Sequence, residues 1–411
     1  MIEISHQHKI INSIVNLPAS KSISNRVLII QFLMHKSFKI DNLSQCNDTL
    51  DLVNALSQIE NNNIVDVGEA GTSFRFLTAL LATKAGNYEL SGSQKLMKRP
   101  ISGLIDALNL LGAKITSKNN DGNGPLLISG KTIKGGSIAI DASTSSQFIS
   151  ALMLVAPYFE EGLSIELKGK IVSLAYIKMT VGIMKVFGAD IDFNANIIRI
   201  KHQAYEANFD TYRIESDWTA ASYWYAFAVM AKECNIVLKG LNARSFQGDC
   251  IVADLFSIYG IKSQFNDEGL VLSKLKGNGF IHIFDFIDNP DLVQTFAFLN
   301  AALGLPLQVN NAANLVHKET DRISAISNEL KKIGSEITIN SKDDFSIENK
   351  HLELNENIVF KTYQDHRMAM SAALLSMKFN RIKMENESVV SKSYPDFWKH
   401  LSAAGFEVVY C

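Results

Sequence analysis

A helix-ending glycine recurs along this chain at nearly constant spacing, and this repeat restricts the possible folds more than any other feature. The glycines follow amphipathic patterns and are separated by 76, 72, 74 and 71 residues: Gly112, Gly188, Gly260, Gly334 and Gly405. Positions one, four and eight residues before each glycine are apolar, with Thr180 as the exception. Each segment therefore predicts an amphipathic helix that is closed by its glycine and followed by a short strand.

A second type of helix, rich in alanine and large apolar residues, recurs with the same period. Equivalent positions lie 73, 74, 73 and 75 residues apart: Thr72, Ser145, Thr219, Leu292 and Arg367. An earlier copy begins at Ser22, only 50 residues before Thr72, so we predict one shortened unit. Six units of two helices with intervening strands then fill the chain, which predicts an α/β or α+β class. Such units also build solenoids and binding scaffolds, so the period alone assigns no chemistry.

Charge and cysteine content exclude several classes of protein. The formal net charge is −2 over 411 residues, so we expect no nucleic-acid partner, and any anion site must arise from local clustering. The four cysteines, Cys46, Cys234, Cys250 and Cys411, lack CxxC or metal-ligand spacing, which predicts neither a disulfide framework nor a zinc site and favours the cytoplasm. No targeting pattern opens the sequence and no apolar run approaches the ~20 residues of a membrane span, so we expect no membrane association.

Polar residues are concentrated where the apolar helices begin. The clusters are Lys21, Ser22, Asn25 and Arg26; Gly71, Thr72 and Arg75; Ser145, Ser146 and Gln147; and Asp365, His366 and Arg367. Helix N-termini present unpaired N–H groups and a positive dipole end, so these positions suit phosphates or carboxylates and can converge on one polyanionic site. Each Ser or Thr taken alone is explained more simply as an N-cap. Capping alone does not readily explain four helix starts that also carry Lys, Arg or Gln.

The segment HKETDR carries the densest charge, with Lys318, Glu319 and Arg322 ahead of an apolar helical stripe. A helix starting near Thr320 places Glu319 at its positive end beside two cations. Those cations favour the ionised carboxylate and burial opposes it, so the protonation state stays open. The alternative is a solvated, salt-bridged helix start without a chemical role.

Eight motifs occur in the order expected of one family: PASKSISNR, GEAGTSFR, KRP, SSQF, NPD, HKETDR, DHRMAM and KSYPDF. With them the chain resembles the enolpyruvyl transferase family from Lys21 to Pro395, most closely the 5-enolpyruvylshikimate-3-phosphate synthases. The resemblance implies two similar lobes of three βαβαββ-like repeats each, of the inside-out α/β barrel type, with the active site in the cleft between the lobes. Residues 21–215 would form one lobe, and residues 1–20 with 216–411 would form the other.

The resemblance also implies a reaction. The 5-hydroxyl of shikimate 3-phosphate would add to C2 of phosphoenolpyruvate, and the tetrahedral intermediate would then eliminate phosphate, in the shikimate pathway to chorismate and the aromatic amino acids. The family needs no metal and no organic cofactor, and glyphosate competes with phosphoenolpyruvate in it. We expect these two small-molecule substrates as the partners and a monomeric protein.

Site residues follow from the same resemblance, position by position. Shikimate 3-phosphate would be held by Lys21, Ser22, Arg26, Ser145, Ser146, Gln147, Ser173, Asp291, Asn314 and Lys318. Phosphoenolpyruvate would be held by Lys21, Gly71, Arg99, Gln147, Arg322, Arg367 and Lys392. The implied catalytic residues are Lys21, Asp291 and Glu319, with Asp291 accepting the 5-hydroxyl proton and Glu319 handling the proton at the enol methylene carbon. Several guanidinium groups suit two phosphates and two carboxylates.

The chain departs from the family pattern at three places. Glu69 stands where the family usually has asparagine, Phe76 where it has proline, and Leu174-Ala175-Tyr176 where it has KPY. Because Glu69 adds negative charge next to the implied phosphoenolpyruvate site, it bears most on the affinity for that substrate.

Two other functions fit part of the pattern. The sister enzymes that use UDP-N-acetylglucosamine normally have lysine followed by asparagine near the N-terminus and a reactive cysteine ahead of the arginine that corresponds to Arg99. Here the pair is Lys21-Ser22, and no cysteine lies between Cys46 and Cys234. A non-catalytic anion-binding relative would be favoured by loss of Asp291 or Glu319, and both are present.

Overall fold

Helices and short strands alternate along the chain in this computed structural model, which describes residues 1–34, 38–143, 145–275, 277, 279–341, 343–349, 352–353 and 358–411, without the side chains of residues 313 and 317. The α-helices are α1 (Lys21–Leu33), α2 (Asn47–Gln58), α3 (Gly71–Thr83), α4 (Gln94–Met97), α5 (Ser102–Leu110), α6 (Ser146–Val155), α7 (Leu174–Val186), α8 (Trp218–Met230), α9 (Val252–Ile258), α10 (Val293–Leu303), α11 (Arg322–Lys331), α12 (His366–Ala372) and α13 (Phe397–Ala403). Short 3-10 helices cover Ala156–Tyr158, Gly248–Ile251, Pro290–Leu292, Ala313–His317, Ala373–Met377 and Glu387–Lys392.

The strands are short, as expected for units that each bury one sheet face. They are β1 (Ile2–Ser5), β2 (Ile10–Asn16), β3 (Lys39–Asp41), β4 (Ile64–Asp66), β5 (Gly86–Ser91), β6 (Lys114–Ser117), β7 (Leu126–Gly130), β8 (Gly136–Asp141), β9 (Leu163–Lys168), β10 (Ile191–Asn194), β11 (Ile197–Ile200), β12 (Thr211–Arg213), β13 (Glu233–Lys239), β14 (Ile261–Asn266), β15 (Gly269–Lys274), β16 (Ile283–Asp285), β17 (Leu307–Asn310), β18 (Ser335–Ile339), β19 (Phe345–Asn349), β20 (Val359–Phe360), β21 (Ile382–Met384) and β22 (Glu407–Tyr410).

The chain divides into two compact units, each with its own hydrophobic core. The inserted unit is Ala19–Ile214, and the terminal unit combines Met1–Pro18 with Glu215–Cys411. For comparison, the lobes predicted from the sequence have their boundaries after residue 20 and after residue 215. Among the described residues, no helix is both long and apolar enough to cross a membrane.

One strand order recurs in five sheets: β4-β5-β7-β6, β8-β9-β11-β10, β2-β13-β15-β14, β16-β17-β19-β18 and β20-β21-β1-β22. In each, the first two strands are parallel and the other pairs are antiparallel. Within the described ranges, the remaining sheet has only the parallel pair β12 and β3. This sheet belongs to the repeat that contains α1 and α2. The absence of antiparallel strands from the described part of this repeat agrees with the short first interval predicted from the sequence.

The N-terminal strands complete sheets built mainly by distant parts of the chain. Strand β1 pairs antiparallel with both β21 and β22, and β2 pairs in parallel with β13. The terminal unit is therefore discontinuous, because its fourth and sixth repeats each need a strand that precedes the inserted unit.

Each unit buries three apolar helices and covers its sheets with amphipathic ones. Helices α1, α3 and α6 contact one another in the inserted unit, and α10 contacts both α8 and α12 in the terminal unit. The predicted helix-ending glycines all have positive φ, at 99° for Gly112, 79° for Gly188, 85° for Gly260, 85° for Gly334 and 94° for Gly405. Only glycine adopts this backbone easily, so the predicted helix ends are confirmed.

Candidate active site

The three apolar helices of the inserted unit begin at the same end of its core. Gln147 Nε2 donates to Thr72 Oγ1 at 3.2 Å, which joins the first turns of α6 and α3. One turn further along, Arg26 of α1 donates from Nη2 to Ser150 Oγ of α6 at 3.2 Å. The Arg26 guanidinium carbon also lies 5.4 Å from the ring centroid of Phe76 on α3. Three polar clusters that are far apart in sequence are therefore gathered at one face of this unit.

Arg26 is a buried cation held by neutral groups. It is 3% exposed. Its Nε donates to Thr180 Oγ1 at 2.7 Å, and Nη1 donates to the Ser22 carbonyl oxygen at 2.8 Å. The Tyr176 carbonyl accepts a longer bond from Nη2. Burial lowers the pKa of Arg26 to about 10. A desolvated guanidinium without a carboxylate among its described contacts is suited to attract a bound anion.

Two guanidinium groups lie at the start of α3. Arg75 donates from Nη1 to the Gly71 carbonyl at 3.2 Å and from Nη2 to the Pro100 carbonyl at 2.8 Å. A Cβ atom on Gly71 would lie only 2.6 Å from Arg99 Nη1. Burial, and then the charge of Arg99, lower the pKa of Arg75 to about 9. Two cations therefore lie at the positive end of a helix, and a Cβ atom on Gly71 would require the Arg99 side chain to shift.

The remaining predicted residues of the inserted unit lie near helix starts in different surroundings. Lys21, the first residue of α1, pairs through Nζ with Asp48 Oδ2 at 2.9 Å. Ser145 is a true N-cap of α6, because its side chain accepts the Gln147 N–H at 3.2 Å. Ser146 follows as a buried first residue of α6. Ser173 is buried just before α7 with a left-handed φ of 55°, a conformation that costs energy for a serine.

In the terminal unit, one guanidinium connects three carboxylates. Arg322, 1% exposed, donates from Nε to Asp365 Oδ2 at 2.9 Å, from Nη1 to Asp291 Oδ1 at 2.9 Å and from Nη2 to Glu319 Oε2 at 3.0 Å. Burial lowers the pKa of Arg322, but the negative charges of Asp365, Glu319 and Asp291 have the larger effect. The pKa of Arg322 is therefore raised above its ordinary value. Three of the five guanidinium N–H groups thus donate to carboxylates.

Asp291 stands between three cations. Besides Arg322, its Oδ2 accepts from Arg367 Nη2 at 2.7 Å, and Lys318 Nζ lies 4.0 Å from Oδ1. Burial lowers the pKa of Lys318, and Arg322 and Arg367 lower it too, whereas Asp291 and Glu319 act in the opposite direction. The structure therefore brings both predicted acid/base carboxylates, Asp291 and Glu319, into one charged cluster.

Asn314 and Lys392 are placed less closely with this cluster. Asn314 lies in the 3-10 helix Ala313–His317, and its buried Oδ1 has no hydrogen-bond partner among the described residues. An unsatisfied buried acceptor is costly unless a ligand supplies a donor. Lys392 ends the 3-10 helix Glu387–Lys392, which packs on α12, the helix that carries Arg367.

Three residues that were not among the predicted site residues also join this cluster. Asp365 was noted only as part of a polar helix start, yet it caps α12 by accepting the Arg367 N–H at 2.8 Å. Tyr223, on the apolar helix α8, lies beside Arg367 of α12, and burial raises the pKa of Tyr223 to about 12. No local pattern in the sequence indicates that Tyr223 belongs to this cluster.

Asp249 is the third unpredicted residue, a carboxyl that is only 5% exposed. Its Oδ1 accepts from Asn289 Nδ2 at 2.9 Å, and the Thr219 hydroxyl donates to its other oxygen. Burial, and then the charge of Asp291, raise the pKa of Asp249 to about 6. The QGD sequence around it gives no helical or metal-binding signal, so only the folded neighbourhood identifies it.

The departures from the family pattern occupy distinct places. Phe76 is buried beneath the Arg26 guanidinium, so it supports that cation through its ring face. The Tyr176 carbonyl oxygen accepts hydrogen bonds from both Arg26 Nη2 and Thr180 Oγ1, the latter at 2.8 Å. Glu69 is exposed two residues before α3.

Comparisons with known proteins find relatives that match almost the whole chain. The family model for EPSP synthase (3-phosphoshikimate 1-carboxyvinyltransferase) matches residues 6–64 and 57–401. The chain is 40% identical to a 3-phosphoshikimate 1-carboxyvinyltransferase of Bacteroides fragilis (strain YCH46), covering 97% of this chain and 96% of the relative. It is 34% identical to the protein of that name from Pseudoalteromonas translucida, covering 96% and 97%.

Solved structures show the same fold. An EPSP synthase from Acinetobacter baumannii matches with a TM-score of 0.78 at 19% identity, covering 100% of this chain and 99% of that one. The enolpyruvyl transferase NikO from Streptomyces tendae matches with a TM-score of 0.77 at 13% identity, covering 100% and 98%. The fold is thus the mixed α/β fold of enolpyruvyl transferases. Within that class, the chain belongs to the EPSP synthase family.

Proposed function

We propose that this protein transfers the enolpyruvyl group of phosphoenolpyruvate to the 5-hydroxyl of shikimate 3-phosphate, as a 3-phosphoshikimate 1-carboxyvinyltransferase. The observation that carries the proposal is the attachment of Asp291 and Glu319 to one buried guanidinium, Arg322. Addition of a hydroxyl to the enol double bond of phosphoenolpyruvate needs one group to take the hydroxyl proton and another to protonate the methylene carbon. Two carboxylates held by one buried guanidinium suit that pair of tasks.

In this proposal Asp291 accepts the proton of the substrate hydroxyl. The guanidinium groups of Arg322 and Arg367 each donate to one of its carboxylate oxygens. The cations stabilise the carboxylate form, which is the form that accepts a proton. Lys318 would then supply a cation for the phosphate of shikimate 3-phosphate, and the unsatisfied Asn314 Oδ1 would supply an acceptor for one of its hydroxyls.

The two units contribute charge differently. In the terminal unit three cations balance three carboxylates: Lys318, Arg322 and Arg367 against Asp291, Glu319 and Asp365. In the inserted unit, the described contacts of Arg26 and Arg75 are with hydroxyls, carbonyl oxygens and aromatic rings. We therefore assign much of the anion binding to the inserted unit, through Lys21, Arg26, Arg99 and the α6 start, and proton transfer to the terminal unit.

The finer assignments of the sequence analysis are part of this proposal. Shikimate 3-phosphate would contact Ser22, Ser145, Ser146 and Ser173, and phosphoenolpyruvate would contact Gly71, Gln147, Arg322, Arg367 and Lys392. Lys21 would contact both substrates. A monomer in the cytoplasm, where free thiols persist, completes the proposal.

The test is release of phosphate from phosphoenolpyruvate by the purified protein. Shikimate 3-phosphate is expected to support turnover, and UDP-N-acetylglucosamine is expected to support none. Mass spectrometry of the product should show the acceptor joined to an enolpyruvyl group. Turnover with the UDP-sugar alone, or saturable binding of both substrates without phosphate release, would overturn the assignment.

A further inference from the structure

The loop ahead of α12 holds an unfavourable backbone conformation next to the charged cluster. Tyr363 and Gln364 have φ values of 56° and 59°, and the Asp365 N–H closes the turn on the Thr362 carbonyl at 2.9 Å. Turns with positive φ at both central residues normally use glycine, asparagine or aspartate. Tyrosine and glutamine pay a steric penalty there, so something outside the turn must hold it.

A buried carboxylate on α11 fixes the turn in this conformation. Glu329 is 0% exposed, and its Oε1 accepts the Tyr363 hydroxyl at 2.7 Å. Its Oε2 accepts the Lys361 N–H at 2.8 Å and pairs with Lys332 Nζ at 2.6 Å. Lys332 also donates to the Val359 carbonyl at 2.9 Å. The segment leading to the turn is thereby fastened to α11 at several points.

The C-terminal side of the turn is also hydrogen-bonded to α11. Asp365 follows the two strained residues and bonds Arg322, the first residue of α11, seven residues before Glu329. Residues seven apart lie on one face of a helix, so Glu329 and Arg322 fix the two sides of the turn from a single face. Burial and the neighbouring Glu329 raise the pKa of Tyr363 to about 12, so its hydroxyl remains a donor at any neutral assay pH.

We propose that Glu329 and Tyr363 are positioning residues, which hold the strained turn so that Asp365 orients Arg322 and, through Arg322, the carboxylates of Asp291 and Glu319. Neither residue belongs to the charged cluster itself. If the anchor is lost, the turn relaxes toward negative φ, Asp365 rotates away from Arg322 Nε, and the two acid/base groups lose their common support. The inference rests on the proposed function, because it concerns the geometry of that reaction.

The first test is Tyr363→Phe, which removes one hydroxyl. We expect kcat to fall about tenfold, close to 1.4 kcal/mol of barrier, with the KM for shikimate 3-phosphate within twofold of the parent. Tyr225→Phe is the matched control, because that hydroxyl bonds Ser263 Oγ at 2.7 Å in the same unit. Tyr225→Phe should lower the melting temperature similarly and leave kcat unchanged. Equal kcat in Tyr363→Phe and the parent overturns the proposal.

The second test is rescue by relief of the backbone strain. Glycine accepts positive φ without a steric penalty, so Gln364→Gly in the Tyr363→Phe background should return kcat to within threefold of the parent. A double variant that is as slow as the single one, at unchanged thermal stability, also contradicts the proposal, since the hydroxyl would then act by some route other than the turn.

Failure of the proposed function is seen separately, in the parent protein. If the parent releases no phosphate from phosphoenolpyruvate, the positioning role is measured by hydrogen exchange of the backbone amides from Thr362 to Arg367, where the Asp365 N–H closes the turn and the Arg367 N–H bonds Asp365. Exchange there should be about tenfold faster in Tyr363→Phe than in Tyr225→Phe. Equal exchange rates overturn the positioning role whatever the reaction is.

Discussion

At the scale of single residues, Arg322 shows how one side chain can serve folding and chemistry together. It is buried with three carboxylates from three different segments. Removing it would take one guanidinium partner from each of Asp291, Glu319 and Asp365, and loss of one partner from a buried pair usually costs ~3–5 kcal/mol. An Arg322 variant would therefore lose stability and activity together, so the roles are better separated at its partners.

Glu319→Gln is expected to reduce turnover by at least ~100-fold with little change in shikimate 3-phosphate affinity. The amide keeps an oxygen for Arg322 Nη2 but cannot exchange a proton. Steady-state rates and calorimetric affinities measure the two effects. Asp321→Asn is the control, because Asp321 caps α11 by accepting the Ser324 N–H at 3.1 Å, and asparagine also caps. Near-normal turnover in Glu319→Gln would remove this residue from the mechanism.

Gly71→Ala is expected to raise the KM for phosphoenolpyruvate and to weaken competitive inhibition by glyphosate. The added methyl would stand 2.6 Å from Arg99 Nη1, so the flexible Arg99 side chain must move away from the start of α3. Gly103→Ala in α5 is the control, since its nearest foreign atom would lie at 3.5 Å. The measurement is a series of glyphosate inhibition curves at varied phosphoenolpyruvate concentrations. A non-competitive pattern, or unchanged sensitivity in Gly71→Ala, would contradict the inferred arrangement.

Asp249→Asn should change how stability depends on pH. Because the folded-state pKa is raised from 3.8 to about 6, the folded protein binds this proton more tightly than the unfolded chain does. Its stabilising contribution is present below the unfolded pKa and is lost as pH rises through about 6. Relative to the parent, the variant should gain on the order of 2 kcal/mol between pH 4.5 and pH 7.5.

Urea unfolding at both pH values measures this difference. The exposed Asp254→Asn variant controls for the loss of one carboxyl from the same region. A difference between Asp249→Asn and the parent that stays constant with pH would show that Asp249 does not titrate in the folded protein over this range.

At the scale of elements, α6 combines an ordinary helix start with a proposed ligand site. Ser145 caps the helix, Ser146 begins it, and Gln147 reaches across to Thr72 on α3. The described contacts of Ser145 therefore match the simpler interpretation, in which Ser145 is only an N-cap. Only substitutions that separate capping from ligand contact can test the additional role.

Ser145→Ala should lower the free energy of unfolding by ~1 kcal/mol and raise the KM for shikimate 3-phosphate. Ser145→Asn should keep the stability, because asparagine is an equally good cap, yet raise the same KM through its larger side chain. Thermal melting and steady-state kinetics measure the two quantities. If Ser145→Asn matches the parent in both, the serine is a cap alone.

At the scale of the whole molecule, both units supply proposed ligands for shikimate 3-phosphate. Hydrogen exchange of backbone amides under saturating ligand tests this without any assumption about their arrangement. We expect slower exchange at the start of α6 in the inserted unit and in the 3-10 helix Ala313–His317 of the terminal unit. Peptides from α13, which carries none of the proposed ligands, provide the internal reference. Protection confined to one unit would contradict the shared binding of this substrate.

The sequence alone determined the repeat, the two helix types and the glycines that end the amphipathic helices. These features depend on short-range rules: the 3.6-residue period of a buried face and the steric cost of positive φ for any residue except glycine. It also named Asp291, Glu319, Arg322 and Arg367, because their motifs resemble those of a known family, and the structure places these four in one cluster.

Only the tertiary structure decided which distant groups meet. Arg26 and Thr180 are 154 residues apart, and their hydrogen bond exists because α1 and α7 pack side by side. Tyr223, Asp249 and the Glu329–Tyr363 anchor lie in segments whose local patterns indicate only core or loop. Their roles come from burial, which removes water and makes each neighbouring charge or hydrogen bond count strongly. That desolvation is a property of the packed chain, so no local stretch of sequence encodes it.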